Sequence, residues 1–163
     1  MSMLNDSIRE FLNGRHYAAL ATQNDDGSIH LTPVWYLFED DRFYISSSSY
    51  ARKSKNIEAR PGVSVMVDSR RHQGDEKWVS VSGIAELISG EGTQEIQSKI
   101  FERYRTKEGL EDQVVGPVFA AAGDVIITLK PDSFQSWELK SVDDEYFGGV
   151  LRQTPDKWFH QVD

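Results

Sequence analysis

Between His16 and Ser47 three strand-like segments follow one another with only tight turns between them, and this spacing constrains the fold more than any other feature. The first runs from His16 to Gln23. Asp25-Asp26-Gly27 ends it, with a glycine able to take positive φ. The second runs from about Ser28 to Phe38 and the third from Arg42 to Ser47, with Glu39-Asp40-Asp41 turning the chain between them. No connection is long enough to hold a helix. The segments therefore pair locally and antiparallel, which argues against a doubly wound α/β sheet. In the second segment Ile29, Leu31, Pro33, Trp35 and Leu37 alternate with His30, Thr32, Val34, Tyr36 and Phe38. Both sets contain apolar residues, so both faces are partly covered. Pro33 cannot donate to a ladder and marks an edge or a bulge.

The remaining chain adds strands and a few helices. Leu4 to Asn13 places Leu4, Ile8, Phe11 and Leu12 on one helical face, and Asn13-Gly14 stops it. Ala51 to Arg60 reads as a short helix, with Ser48 or Ser49 as its cap and Pro61-Gly62 as its end. Val63 to Asp68 alternates as a strand, Ser69 to Glu76 is a polar loop, and Lys77 to Ile88 is a long strand whose Gly83 permits a barrel bend. Gly92 to Thr106 carries the helical stripe Ile96, Ile100, Phe101 and Tyr104, and Gln113 to Ala121 reads as another short helix. Asp124 to Lys130 and Phe134 to Leu139 complete the strands. Beyond Ser141 the chain is acidic and irregular and expected to order only against a partner surface. About six strands with turns between most of them suggest a mainly β (α+β) fold, a split antiparallel β-barrel with a few flanking helices. The whole chain, residues 1–163, reads as one such domain, with an N-terminal helix in 1–14 and a tail in 141–163.

Composition excludes several chemistries. There is no cysteine, which removes disulfides, thiolate metal sites and cysteine nucleophiles, and which fits a cytoplasmic location. The formal net charge of -8 argues against general binding of nucleic acid, which needs clustered Lys and Arg. No apolar run is long enough for a bilayer. The four histidines, His16, His30, His72 and His160, form no tight ligand pair, so no metal is expected. Arg70-Arg71-His72 reads as a solvated loop. No nucleophile elbow or phosphate loop occurs, and no carboxylate pair demands acid–base work, so the catalytic residues stay unassigned.

One segment does point to a ligand. Tyr44 to Asn56 reads YISSSSYARKSKN: a strand ends in four serines, and a helix starts with Arg52, Lys53 and Lys55 in its first turns. A helix start offers free N–H groups and partial positive charge, serines add donors, and arginine forks onto phosphate oxygens. Cations at a helix start are unfavourable alone and easier to understand with a bound anion. On spacing alone the same cluster reads as a solvated basic face, and Trp35 as core packing.

In order, the stretches ALAT, DG, HLTPVWY, FYIS, RKSKNI and PGVSVMV between Tyr17 and Val67 resemble the flavin-binding core of the pyridoxamine 5′-phosphate oxidase-like superfamily, nearest to the branch that includes deazaflavin (F420)-dependent reductases. KWVSVSGIAEL resembles the next long strand of that family. The resemblance implies a split-barrel homodimer with its cofactor between subunits and a small-molecule substrate. Thr32, Pro33, Val34 and Trp35 would run along the isoalloxazine ring. Ser46, Ser47 and Ser48 would sit beside the ribityl or phosphate part, Arg52 and Lys53 would hold the phosphate with Lys55 and Asn56 close by, and Trp78 would approach the ring. The cofactor implied is FMN, with F420 as the alternative, and the activity an oxidoreductase. A non-catalytic flavin carrier or sensor and a haem-binding relative are the alternatives. The C-terminal DKWFHQVD lacks the basic segment of the vitamin B6 oxidases, which argues against that substrate.

Overall fold

The local antiparallel pairing forced by the short turns is present, and the strands curl into two sheets that share one long strand. The computed structural model describes residues 4–70 and 73–160, apart from the side chain of Ala120. Helix α1 (Asp6–Asn13) leads into β1 (Ala18–Gln23), β2 (Ile29–Val34), β3 (Leu37–Glu39), β4 (Arg42–Ser47), α2 (Arg52–Ala59), β5 (Gly62–Ser69) and β6 (Lys77–Ser89). Helices α3 (Thr93–Tyr104), α4 (Lys107–Glu111) and α5 (Val115–Ala121) then precede β7 (Val125–Leu129) and β8 (Ser133–Glu138). The strand order is β2-β1-β5-β6-β7-β4-β3, with β8 added beside β6.

Strand β6 is the shared element. Its first part pairs with β5 and β8, and from Ala85 onward it pairs with β7. Gly83 sits at the changeover. A Cβ there would lie 2.8 Å from the Lys130 carbonyl oxygen and 2.9 Å from Leu129, so the close passage of the β7–β8 connection requires glycine. Inside the curl, Leu20, Val65, Val67, Val79, Val81, Phe43, Ile45, Ile127 and Leu129 are fully buried, and α1 inserts Ile8 and Leu12. This is the inward half of each strand's alternation, and its burial drives the closure.

Several expectations are corrected. The single strand from Ser28 to Phe38 is two strands. The chain leaves the ladder after Val34 and crosses to the other sheet at Trp35 and Tyr36. The cause is visible at Tyr36, which is fully buried and donates its hydroxyl to the Leu12 carbonyl at 2.9 Å. Eight strands are present among the described residues, against about six expected. Helix α4 was not anticipated, and neither serine caps α2, whose N-cap is Ala51 with no side-chain acceptor.

The tail is ordered against its own chain. It forms α6 (Leu139–Val142), a π-helical turn (Asp143–Phe147), α7 (Val150–Gln153) and α8 (Pro155–Trp158). Its organiser is Asp143, wholly buried, which accepts from the amides of Leu151 and Arg152 at 3.0 Å and from Arg152 Nε at 3.1 Å. A buried carboxylate needs this full set of donors. Among the described residues, no helix is long and apolar enough to cross a membrane.

Candidate functional site

Strand β4 delivers the serine run to the start of α2, and internal hydrogen bonds fix that loop. Buried Ser47 and Ser54 lie 3.0 Å apart through their hydroxyls, and Ser54 Oγ donates to the Ser48 carbonyl at 2.7 Å. Ser48 Oγ accepts from the Tyr50 amide at 3.2 Å. Ser49 donates from both its amide and its hydroxyl to the Asp124 carboxylate, each at 2.6 Å. These two donors hold the Asp124 carboxyl below the usual carboxylate range. Ser46 lies on the opposite side of β4 from Ser47. A Cβ on Gly123 would come within 2.5 Å of its hydroxyl and 2.8 Å of Gln97 on α3. The three serines grouped by sequence thus do not share one face.

Helix α2 begins with no side-chain cap and no acidic residue in its first turn. Arg52 is exposed there and Lys53 half-buried; burial pushes the Lys53 ammonium below its ordinary value. Lys55 is exposed, 5.9 Å from the centre of the Tyr50 ring. Asn56 is buried and commits its amide to Thr22 at 3.0 Å and Asn24 at 2.9 Å, so its clear role is to dock α2 on β1. Arg60 adds to that docking through the Gln23 carbonyl at 3.1 Å and Asp25 at 2.5 Å. Asp26 stands nearby, kept ionised chiefly by Ser28 with a small contribution from Arg52.

The second part of the site lies at the far end of β2. Among the described residues this strand bonds only to β1, so its other edge is unpaired there. Val34 is buried, Thr32 half-buried and Pro33 exposed. Pro33, Val34 and Trp35 line a cavity of about 330 Å³ with Tyr17 and Phe119, and no charged side chain lines it. That volume is at the low end for small-molecule pockets, and its apolar walls suit a flat ring. The Trp35 indole is stacked on both faces. Tyr104 lies 5.2 Å away with rings 2° from parallel, and Phe119 lies 5.9 Å away at 9°. Its ring faces are thus occupied by the protein's own side chains, and its edge, with Pro33 and Val34, borders the cavity.

Trp78 is not brought to this cavity. It faces outward on β6, opposite Trp137 on β8 and Asp68 on β5, with β1 and β5 between it and β2. His16 stacks on Phe11 at 4.6 Å, and Arg70 pairs with Asp68, while Arg71 and His72 lie outside the described residues. No cluster of metal-ligating side chains occurs among the described residues. Sequence reasoning missed Asp124, Tyr17, Tyr104 and Phe119. Ser49 and Asp124 are 75 residues apart, and no local pattern joins them.

The same fold occurs in solved structures of low identity. A conserved hypothetical protein from Mycobacterium tuberculosis is 23% identical with a TM-score of 0.71, covering 87% of this chain and 89% of that one. An F420 reductase is 22% identical with a TM-score of 0.65, covering 81% and 98%. A haem storage protein from Vibrio cholerae is 18% identical with a TM-score of 0.60, covering 84% and 95%. No curated protein matches the chain. The sequence model of the pyridoxamine 5′-phosphate oxidase family matches residues 4–126, well over half of the chain, and so the protein is a member of that superfamily of split β-barrels.

Proposed function

We propose that the protein is a homodimeric oxidoreductase that uses a phosphate-bearing flavin or deazaflavin to act on a small organic substrate. The observation that carries this reading is the start of α2, an uncapped first turn that holds Arg52 and Lys53 and no acid. Free N–H groups, the helix dipole and two cations belong to the same first turn, which favours an anion. From that end the free edge of β2 runs about 20 Å, at ~3.4 Å per residue, to the apolar cavity at Pro33, Val34 and Trp35. A phosphate at one end and a flat ring at the other match the extended shape of a flavin. Arg52 and Lys53 would hold the phosphate, the Thr32–Trp35 backbone would meet the polar edge of the ring, and Tyr17 and Phe119 would keep water away. The bound ring supplies hydride or electron transfer; the chain binds and orients it.

The dimer reading rests on the outward face of β2, β1, β5, β6 and β8. Ile29, Leu31, Met66 and Ile84 are 62%, 65%, 40% and 58% exposed. On those strands, as far as Ile84, the outward positions carry one charged residue, Asp68, although 27% of the whole chain is charged. A second copy fits best, because two chains of net charge -8 can approach where that charge is absent. Trp78 lies on this face and would then reach toward the partner's cofactor.

Absorbance and fluorescence titration with FMN, FAD and F420, together with light scattering, tests the proposal. Saturation near one cofactor per subunit of a dimer supports it; binding of none removes it. A second reading, a flavin carrier without turnover, is favoured by Phe119, which covers Trp35. A bound ring that small donors and acceptors cannot reduce or reoxidise would select that reading. The haem storage relative brings haem as a third occupant, and a sharp Soret band on titration would select it.

A further inference from the structure

We infer that the segment Thr106–Ala122, which carries α4 and α5, is a lid on the Trp35 cavity, and that Phe119 is the latch through which it gates entry and exit of the flavin ring. This rests on the flavin-type reading above and extends it to access. Both ends of the segment are tied down. Before it, Tyr104 stacks on Trp35 and donates its hydroxyl to the His16 carbonyl at 2.5 Å. After it, Gly123 lies so close to Ser46 and Gln97 that no Cβ fits, and the Asp124 amide donates to the Ser47 carbonyl at 3.1 Å. Between these anchors the polar contacts turn inward. Among the described residues, the hydrogen bonds and ion pairs of Thr106–Ala122 stay within the segment and its neighbour Arg105. Thr106 Oγ1 accepts from the Gly109 amide at 3.1 Å, Asp112 accepts from Val114 and Val115 at 2.9 and 2.7 Å, Lys107 pairs with Glu111 at 3.7 Å, and Arg105 donates to the Gly109 carbonyl.

Packing is equally self-contained. No side chain of α4 is buried, and on α5 and its N-cap Val114, Val115 and Val118 are 76%, 43% and 66% exposed. Helix α5 packs chiefly on α4, and Gly116 passes so near the Leu110 carbonyl that a Cβ would lie 2.8 Å from its oxygen, so the two helices form one unit. That unit meets the barrel at Phe119. The ring stacks on Trp35 at 5.9 Å and 9° and stands edge-on to Phe101 at 5.9 Å and 81°. The Arg105 guanidinium lies 4.3 Å from its centre and holds it from the side. A segment fastened at its ends, bonded within itself and attached in the middle by one ring opens locally at low cost. Of the residues that line the cavity, Tyr17, Pro33, Val34 and Trp35 belong to the barrel and Phe119 belongs to this segment. Lifting Phe119 therefore removes one wall and uncovers Trp35, while Tyr104 stays in its stack and the other walls stay in place. Reclosing would put Phe119 back over the site and shut water out.

Stopped-flow fluorescence with FMN and with F420, read as separate association and release rates, tests the lid. A gate that is closed in both the free and the bound protein slows the two rates alike, whereas the loss of an ordinary contact appears in release alone. Phe119→Ala should raise both rates about 5- to 10-fold, with Kd moving less than either. Arg105→Gln, which leaves the ring in place and keeps the test open if Phe119→Ala does not fold, should raise both about 2-fold. Phe119→Tyr keeps the stack and should behave as the wild type. In cofactor-free protein the amides of α5 should exchange with solvent faster than those of α3, and faster still in Phe119→Ala. Faster release with unchanged association makes Phe119 a plain contact and overturns the lid while the flavin reading stands. Amides of α5 that exchange as slowly as those of α3 overturn it too. If neither cofactor binds the wild type or any variant, the flavin reading falls and takes the inference with it.

Discussion

Two helix starts in this chain solve the same problem in opposite ways. At α1, Asn5 accepts from the Ile8 amide at 2.9 Å and Asp6 places a negative charge in the first turn. Its other end is served too, since Arg103 donates to the carbonyls of Leu12, Asn13 and Gly14. At α2 there is no cap and no acid, and the first turn carries Arg52 and Lys53. Both helices have eight residues and both pack inward, so length and burial do not explain the difference. The start of α1 is finished by its own sequence. Helix α2 is held by its buried face, Ser54, Asn56 and Ile57, while its dipole end stays available to an anion.

The comparison can be broken most directly at Lys53. Lys53→Ala should weaken FMN or F420 binding about 10- to 100-fold, as expected for a charge-assisted hydrogen bond of about 1.5–3 kcal/mol, without loss of thermal stability. Fluorescence titration and thermal unfolding read the two quantities separately, and unchanged affinity would discard the assignment. Asn5→Ala should do the reverse, costing about 1 kcal/mol of stability, a shift of roughly 2–4 °C in Tm, with cofactor affinity unmoved. Giving α2 what α1 already has sharpens the contrast further. Ala51→Asp sits at an extended N-cap position, φ -66 and ψ 142, that suits a capping side chain. It should stabilise the fold by about 0.5–1 kcal/mol while weakening the cofactor several-fold, because the cap occupies the amides the phosphate needs.

The smallest effect is a pH dependence. Burial lowers the Lys53 pKa from its ordinary 10.5. The fold therefore carries a penalty while Lys53 is charged, and that penalty fades as pH rises through the folded value. Phosphate affinity moves the other way and should begin to fall before pH 10.5, where ordinary lysines are still charged. Lys53→Met should remove that part of the pH profile when affinity is measured across the alkaline range.

Much of the frame was legible because its signals are local. The boundaries of β4, Arg42–Ser47, and the body of α2 follow from alternation, a serine run and Pro61-Gly62, all within a few residues. The basic first turn of α2 was legible for the same reason. What stayed hidden depends on distant residues. Tyr36 breaks the β2–β3 run because its hydroxyl is claimed by Leu12, 24 residues earlier. Trp35 reads as core packing on spacing alone, but its packing partners, Tyr104 and Phe119, lie about 70 and 84 residues away and no local pattern names them. Ser47, Ser49 and Ser54 look like free donors but bond to Asp124 and to each other. The tail looked irregular because its order comes from one buried carboxylate, Asp143, and not from a periodic apolar face.

The most direct test of the account compares the two helix starts in one experiment: the backbone amide resonances of ¹⁵N-labelled protein as FMN or F420 is added. Large shifts are expected at Arg52, Lys53 and Ser54, with lesser ones along Thr32 to Trp35, and none at Asp6 to Arg9. Saturable binding that leaves the first turn of α2 unmoved would contradict it.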